Sequence, residues 1–217
     1  MASTLMDLHF PDDQGVEDLR TFVSRARAAD GEGAVRLQAA GATLAAYVGV
    51  LPGGGLLAEG AVLGLRVMPL AEPATVDVTV SLAAVADRLA REVGTVLSLP
   101  PMLVSAPWSA VAPPRSGWER VGALACEVLE ECARQGIEEI ARGVPADAGG
   151  HAVTALRRQV WGRLTPTTPP VPSGGAFAAY VLGFTEPGTD ATVWAHGRWT
   201  RVSAPHGHVL VRGAATI

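Results

Sequence analysis

The chain has no lysine, only two cysteines, no long apolar run and no recognisable catalytic signature, and each lack narrows what it can do. All 17 of its basic residues are arginine, scattered along a chain of net charge −4 without a basic tract. Phosphate neutralisation needs a concentrated positive footprint, so nucleic acid is not expected as a partner. The two cysteines, Cys126 and Cys132, fall in "LACEVLEECARQ", where a helix sets them roughly 120° apart around its axis and no bridge can close within it. No apolar stretch approaches the roughly 20 residues of a membrane span, and no charged-then-apolar leader opens the chain. A reduced, cytoplasmic protein with no membrane contact is expected. There is no "GxSxG" elbow, neither cysteine lies in an electropositive loop, and "PGGGLLAEG" lacks both the lysine of a P-loop and the spacing of a dinucleotide fingerprint. No catalytic residue and no cofactor are assigned.

What is present suffices for a folded protein. At 217 residues, 48% hydrophobic and 18% charged, the chain can bury a core without disulfides or metal. The abundance of arginine, alanine and glycine points to a GC-rich genome more than to selection for guanidinium groups.

"TLMDLHF" alternates apolar and polar residues and predicts a first strand, followed by a helix with Val16, Leu19, Phe22, Val23 and Ala26 on one face. "AVRLQAA", "TLAAYVGVL", "VLGLRVMPL" and "VDVTVS" predict strands parted by Gly41, by the glycines after Pro52 and by the stretch around Pro73. Ser81 then caps a helix carrying Leu82, Val85, Leu89 and Val93. From Leu97 to Arg115 five prolines and no sustained period make a segment longer than an ordinary connection. Three segments result: an α+β half over 1–98, a Pro-rich connection over 99–115, and a helical hairpin followed by a β-meander over 116–217.

In the last segment "SGWE", Ser116 to Glu119, matches a capping box and predicts the start of a long helix. Its apolar face would carry Val121, Leu124, Ala125, Val128, Leu129, Cys132, Ile137 and Ile140, and Gly143 with Pro145 would stop it. A second helix near His151 to Leu164, with Val153, Leu156, Val160 and Leu164 on one side, completes the hairpin. "AFAAYVLGF", "TVWAH", "RWTRVS" and "HVLVR" then predict a meander with Gly and Pro turns. The echo between "LAAYV" at Leu44 and "FAAYV" at Phe177 raises the question of a structural repeat. The fold class expected is α+β, antiparallel sheet covered on one face by helices, with one sheet or two left open.

His206 and His208 are two apart, as in many metal pairs, but the only nearby third ligand is His196. A meander turning at Gly197 leaves it about 15 Å away, at about 3.3 Å per residue along the intervening strand. No metal site is expected. The carboxylate pairs at Asp12 and Asp13, Glu130 and Glu131, and Glu138 and Glu139 are explained as solvated helix charges.

Tryptophan and arginine remain. "SAPWSAVAPPRSGWERVG" holds Trp108, Arg115 and Trp118, Arg157 stands one helical turn before Trp161, and Arg198 adjoins Trp199. Guanidinium over indole is a common element of interface hot spots, so Trp108, Arg115, Trp118, Arg157 and Trp161 are the candidate binding residues. The plainer reading, preferred here, is that the tryptophans pin the long loop and the hairpin to the sheet.

At "WSAVAPPRSGWE", "VWGRL", "GRWTRV" and "GHVLVR" the sequence resembles, over nearly its whole length, a group of uncharacterised proteins from high-GC Gram-positive bacteria. The resemblance implies a bacterial cytoplasmic protein and carries no activity, cofactor or catalytic residue. The expected function is that of a non-enzymatic interaction protein, self-associating as a homodimer. The alternative is a small-molecule-binding protein or enzyme with a pocket under the Pro-rich loop.

Overall fold

The structure, a computed structural model, describes residues 7–54, 58–110, 112–144 and 149–213. It is an α+β protein whose antiparallel sheets have helices packed against them. The chain forms two compact units, Met1–Val50 with Leu65–Val111, and Leu51–Gly64 with Ala112–Ile217. Among the described residues no helix is long and apolar enough to cross a membrane.

The first part of the chain runs β1 (Asp7–His9), α1 (Asp13–Ala29), β2 (Ala34–Leu51), β3 (Val62–Ser81), α2 (Leu82–Arg91), β4 (Val96–Ser98) and a 3-10 turn at Pro107–Ala110. Both helices are capped by a side chain at the N-terminus, α2 by the Ser81 that the sequence predicts. The Asp12 carboxylate accepts the Gly15 amide at 3.0 Å, and the Ser81 hydroxyl accepts the Ala84 amide at 3.1 Å, each satisfying one donor that the helix leaves unpaired. Val16, Leu19, Phe22, Val23 and Ala26 are the buried stripe of α1. Leu82, Val85 and Leu89 are that of α2, while Val93 lies beyond the helix end and is 98% exposed. The strand predicted over 4–10 survives as β1, with residues 4–6 outside the described part, and β1 pairs antiparallel with β4, Leu8 facing Leu97.

The breaks expected at Gly41 and Pro73 do not divide the strands, since β2 and β3 run through them. Their trace is a lapse in alternation: residues 40–43 and 71–73 are all exposed, and Gly41 has φ 61°, a value that suits glycine.

The second part runs β5 (Glu119–Ala125), α3 (Cys126–Gly143), α4 (Gly150–Gly162), α5 (Ser173–Val181), β6 (Asp190–His196), β7 (Trp199–Ala204) and β8 (Gly207–Arg212). The last four strands lie in the order β8-β7-β6-β5, all antiparallel. At β8 the sheet takes up the start of β3, where the Arg212 amide donates to the Ala61 carbonyl at 2.9 Å.

Two elements correct the sequence reading. The helix predicted from Ser116 begins ten residues later, at Cys126, because Glu119–Ala125 is a strand paired to β6. A capping box needs helical backbone straight after the cap, and Gly117 instead has φ 76°. A Cβ there would lie 2.8 Å from the His196 ring, and one on Gly122 would lie 2.8 Å from Pro169, so both glycines admit close neighbours. The buried face of α3 is accordingly Cys126, Leu129, Ala133 and Gly136, while Val121, Val128 and Ile137 are exposed. Pro145, predicted to stop this helix, lies outside the described residues.

The second correction is "AFAAYVLGF", predicted as a strand, most of which forms α5. Gly174, Gly175, Ala176, Ala178 and Ala179 are buried in it. Small residues let the helix backbone come close: a Cβ on Gly175 would be 3.0 Å from Val211 of the sheet, and one on Gly174 would be 2.9 Å from Leu51. A helix satisfies its own backbone hydrogen bonds and can therefore be buried in this way. The echo "LAAYV" and "FAAYV" falls in β2 and in α5, a strand and a helix, so it marks no structural repeat.

Candidate functional site: an arginine and tryptophan face on the C-terminal sheet

In a pleated sheet, residues directly opposite each other share a face and neighbours along a strand alternate. Trp194 lies opposite Arg120 of β5 and Arg201 of β7, and Trp199 lies opposite His196 of β6 and Arg212 of β8. One face of β5–β8 therefore carries Arg120, Trp194, His196, Trp199, Arg201 and Arg212. The other carries Val193, Val202, Val209 and Val211, all buried, with α5 packed over the β7–β8 end.

On the polar face Arg201 is held between two indoles, its guanidinium carbon 4.8 Å from the centroid of Trp118 and 4.9 Å from that of Trp194. Arg212 stands 5.8 Å from the centroid of Trp199. Cation–π contacts of this kind contribute about 0.5–2 kcal/mol according to burial. Trp118 is fixed from behind, its indole N–H donating to the Pro114 carbonyl at 3.0 Å and its ring 5.9 Å from that of His196. His196 Nδ1 lies 2.7 Å from the Gly117 carbonyl oxygen. The 112–118 segment is thus pinned over the sheet by an indole, a guanidinium and an imidazole.

Burial pulls the Arg201 guanidinium below its ordinary pKa, yet no carboxylate compensates it. Arg198 is neutralised by Glu59 at 3.3 Å, whereas among the described residues Arg120, Arg201 and Arg212 have no ion-pair partner. The Nε–H groups of Arg201 and Arg212 are buried without a hydrogen-bond acceptor. A buried donor left unpaired costs about 1–3 kcal/mol.

Of the five residues singled out in the sequence, Trp118 touches this face. Arg115 is exposed in the segment just before it. Trp161 is 4% exposed and stacks on Phe177 at 4.4 Å, away from solvent, while Arg157 on the same helix is exposed. Trp108 belongs to the first unit, is 7% exposed, and lies so close over Gly49 that a Cβ there would meet the indole at 2.5 Å. Trp194, Arg201 and Arg212 were not among the candidates, although their strands were predicted. The histidines go separate ways: His206, in the turn before β8, pairs with Glu186 at 3.2 Å, and His208 Nδ1 lies 3.0 Å from the Ser203 hydroxyl. Among the described residues no three His, Cys, Asp or Glu side chains are grouped to hold a metal.

The chain shares its fold with DNA polymerase sliding clamps. A protein described as a DNA polymerase III beta subunit from Eubacterium rectale superposes with a TM-score of 0.60 at 10% identity, over 98% of this chain and 65% of its own. The Helicobacter pylori beta clamp, solved with carprofen, gives 0.53 at 8% identity over 98% and 65%. The Caulobacter crescentus sliding clamp gives 0.51 at 10% identity over 97% and 66%. This chain thus spans about two thirds of the length of the clamps it matches. Residues 4–110 match the model described as domain of unknown function DUF8010, and residues 113–216 that described as domain of unknown function DUF8185. No curated protein matches the sequence.

These neighbours overturn the exclusion of nucleic acid drawn from the charge pattern, because the fold is that of proteins titled as DNA polymerase clamps. The physical reason lies in the sheet. A search for a basic tract sees neighbours in sequence, whereas β-pairing brings Arg120, Arg201 and Arg212 onto one face from three strands.

Proposed function

We propose that this protein is a clamp-like scaffold of the bacterial cytoplasm that acts by association, pairing with a second copy of itself and engaging DNA, and that it performs no catalysis. The observation carrying this reading is the superposition on a sliding-clamp protein at a TM-score of 0.60 over 98% of the chain. The unpaired arginines of the sheet face agree with a polyanionic partner. A fold hosts many functions, so the test is direct. Light scattering over a concentration series, with retention of duplex DNA at low and moderate salt, measures both associations. The expected result is a species of twice the 22.4 kDa chain mass and duplex retention that falls as salt rises. A monomer at every concentration that ignores duplex DNA at low salt would overturn the proposal.

A further inference from the structure

We infer that the arginine-bearing face of β5–β8 is a binding site for single-stranded nucleic acid, with Arg201, Arg212 and Arg120 meeting phosphates and the indoles of Trp118 and Trp194 supporting bases. The inference deepens the DNA-associated reading by naming a site and a strand state, and its test separates the two.

Three observations converge. The first is uncompensated charge, since Arg201 and Arg212 have no carboxylate partner among the described residues. Arg198 on the neighbouring turn, by contrast, is answered by Glu59 at 3.3 Å. The second is spacing. Arg201 lies opposite Leu210 and Arg212 is two residues further along β8, a diagonal pair about 7–8 Å apart, which suits successive acceptors along one chain better than a single small anion. The third is what stands between the cations. Trp118 and Trp194 are half-buried, not fully enclosed, and His196 is exposed beside them. Aromatic side chains interleaved with arginine on a sheet surface are the arrangement that holds single strands, because every base has a stacking face and the backbone supplies the charge. A duplex keeps its bases stacked inside and offers this face only phosphates. An acidic protein segment would use the guanidiniums alone.

The experiment is fluorescence anisotropy of the full chain with end-labelled oligo(dT) and with a duplex of equal length, at two salt concentrations, with poly-glutamate as competitor. The wild type is expected to bind oligo(dT), with log K falling by about 0.7 per phosphate contact for each unit of log salt. Arg201→Gln with Arg212→Gln should weaken oligo(dT) binding on the order of tenfold or more, the loss of two charged contacts, while Arg27→Gln on α1 leaves it unchanged. Should the double variant fail to fold, Arg120→Gln on β5 serves instead, its expected effect being a salt slope smaller by about 0.7.

Failure of the wild type to bind oligo(dT) at low salt overturns the inference, and so does an affinity untouched by the substitutions. Displacement by poly-glutamate at equal charge also overturns it, in favour of an acidic protein partner. A chain that binds duplex and self-associates but ignores oligo(dT) loses this site alone. One that binds oligo(dT) through these arginines, yet stays monomeric and ignores duplex, keeps the site and loses the clamp-like reading.

Discussion

Replacing Gly136 by alanine sets helix propensity against packing in a way that the structure decides. Gly136 sits inside α3, where alanine is favoured over glycine by about 1 kcal/mol because it loses less backbone freedom on folding. Yet a Cβ there would lie 2.3 Å from Cζ3 and 2.6 Å from Cη2 of Trp161. The indole has little room to retreat, being stacked at 4.4 Å on Phe177 of α5 with 4% of its surface exposed. Overpacking of this kind costs about 1–3 kcal/mol, so Gly136→Ala should destabilise by up to about 2 kcal/mol once the propensity gain is subtracted. Urea unfolding followed by far-ultraviolet circular dichroism measures it. Trp161→Ala alone should cost about 3–5 kcal/mol. In that background the clash is gone, and Gly136→Ala should become stabilising by up to about 1 kcal/mol. Gly162→Ala at the end of α4, where a Cβ would meet nothing within 4 Å, is the control and should be neutral or mildly stabilising. A raised midpoint for Gly136→Ala in the otherwise native chain would refute the packing argument.

Trp108→Ala removes a buried indole from the 3-10 turn and from its contact over Gly49, and an unfolding free energy lowered by about 3–5 kcal/mol is expected. Ser81→Ala should cost about 1 kcal/mol in the same assay by releasing the Ala84 amide. Ser116→Ala should be neutral within about 0.5 kcal/mol, since Ser116 is exposed and caps no helix. The Glu127 carboxylate accepts the Gly188 amide, which holds its pKa below the ordinary carboxylate value. That contact contributes stability above the unfolded pKa and loses it as pH falls through the folded one, so Glu127→Gln should flatten the acid limb of a pH–stability curve.

The elements legible in the sequence are those whose signals are local. Asp12 and Ser81 cap helices whose apolar stripes follow at once, and β6–β8 are bounded by turns at Gly197 and Pro205. The misread elements were decided from a distance. The capping pattern at Ser116 is overruled by pairing of Glu119–Ala125 with β6, about seventy residues on, and by the left-handed Gly117. The small residues of α5 show no helical stripe because nearly every side of that helix is buried. The same four residues, Ala-Ala-Tyr-Val, are strand at 45–48 and helix at 178–181, so local propensity has no vote there. The site itself was half legible. A two-residue turn at Gly197 and Arg198 puts His196 opposite Trp199 and hence Trp194 opposite Arg201, and the turn at Pro205 and His206 puts Trp199 opposite Arg212 in the same way. What no counting of turns could supply is Trp118, which reaches Arg201 from the far side of the helices in sequence.

The charge of the chain shows why a total was the wrong quantity. Within the second unit, Glu127, Glu130, Glu131, Glu138 and Glu139 all lie on α3, on the helical side, whereas Arg120, Arg198, Arg201 and Arg212 lie in or beside the strands. On α3 the acids are largely answered in place, Arg134 pairing with Glu130 and Glu131, Arg142 with Glu138, and Arg163 with Glu139. Among the described residues, Arg198 is the one of these four sheet arginines with an ion-pair partner. The acids of α3 are therefore largely paired on the helical side, while Arg120, Arg201 and Arg212 share one sheet face without an ion-pair partner among the described residues. Screening acts over about 8–10 Å at physiological salt, so a polyanion approaching that face responds to its local excess and not to the distant glutamates. Association through the sheet is thus expected to weaken steeply with salt, while stacking on Trp118 and Trp194, which carries no charge of its own, should persist as the remaining affinity.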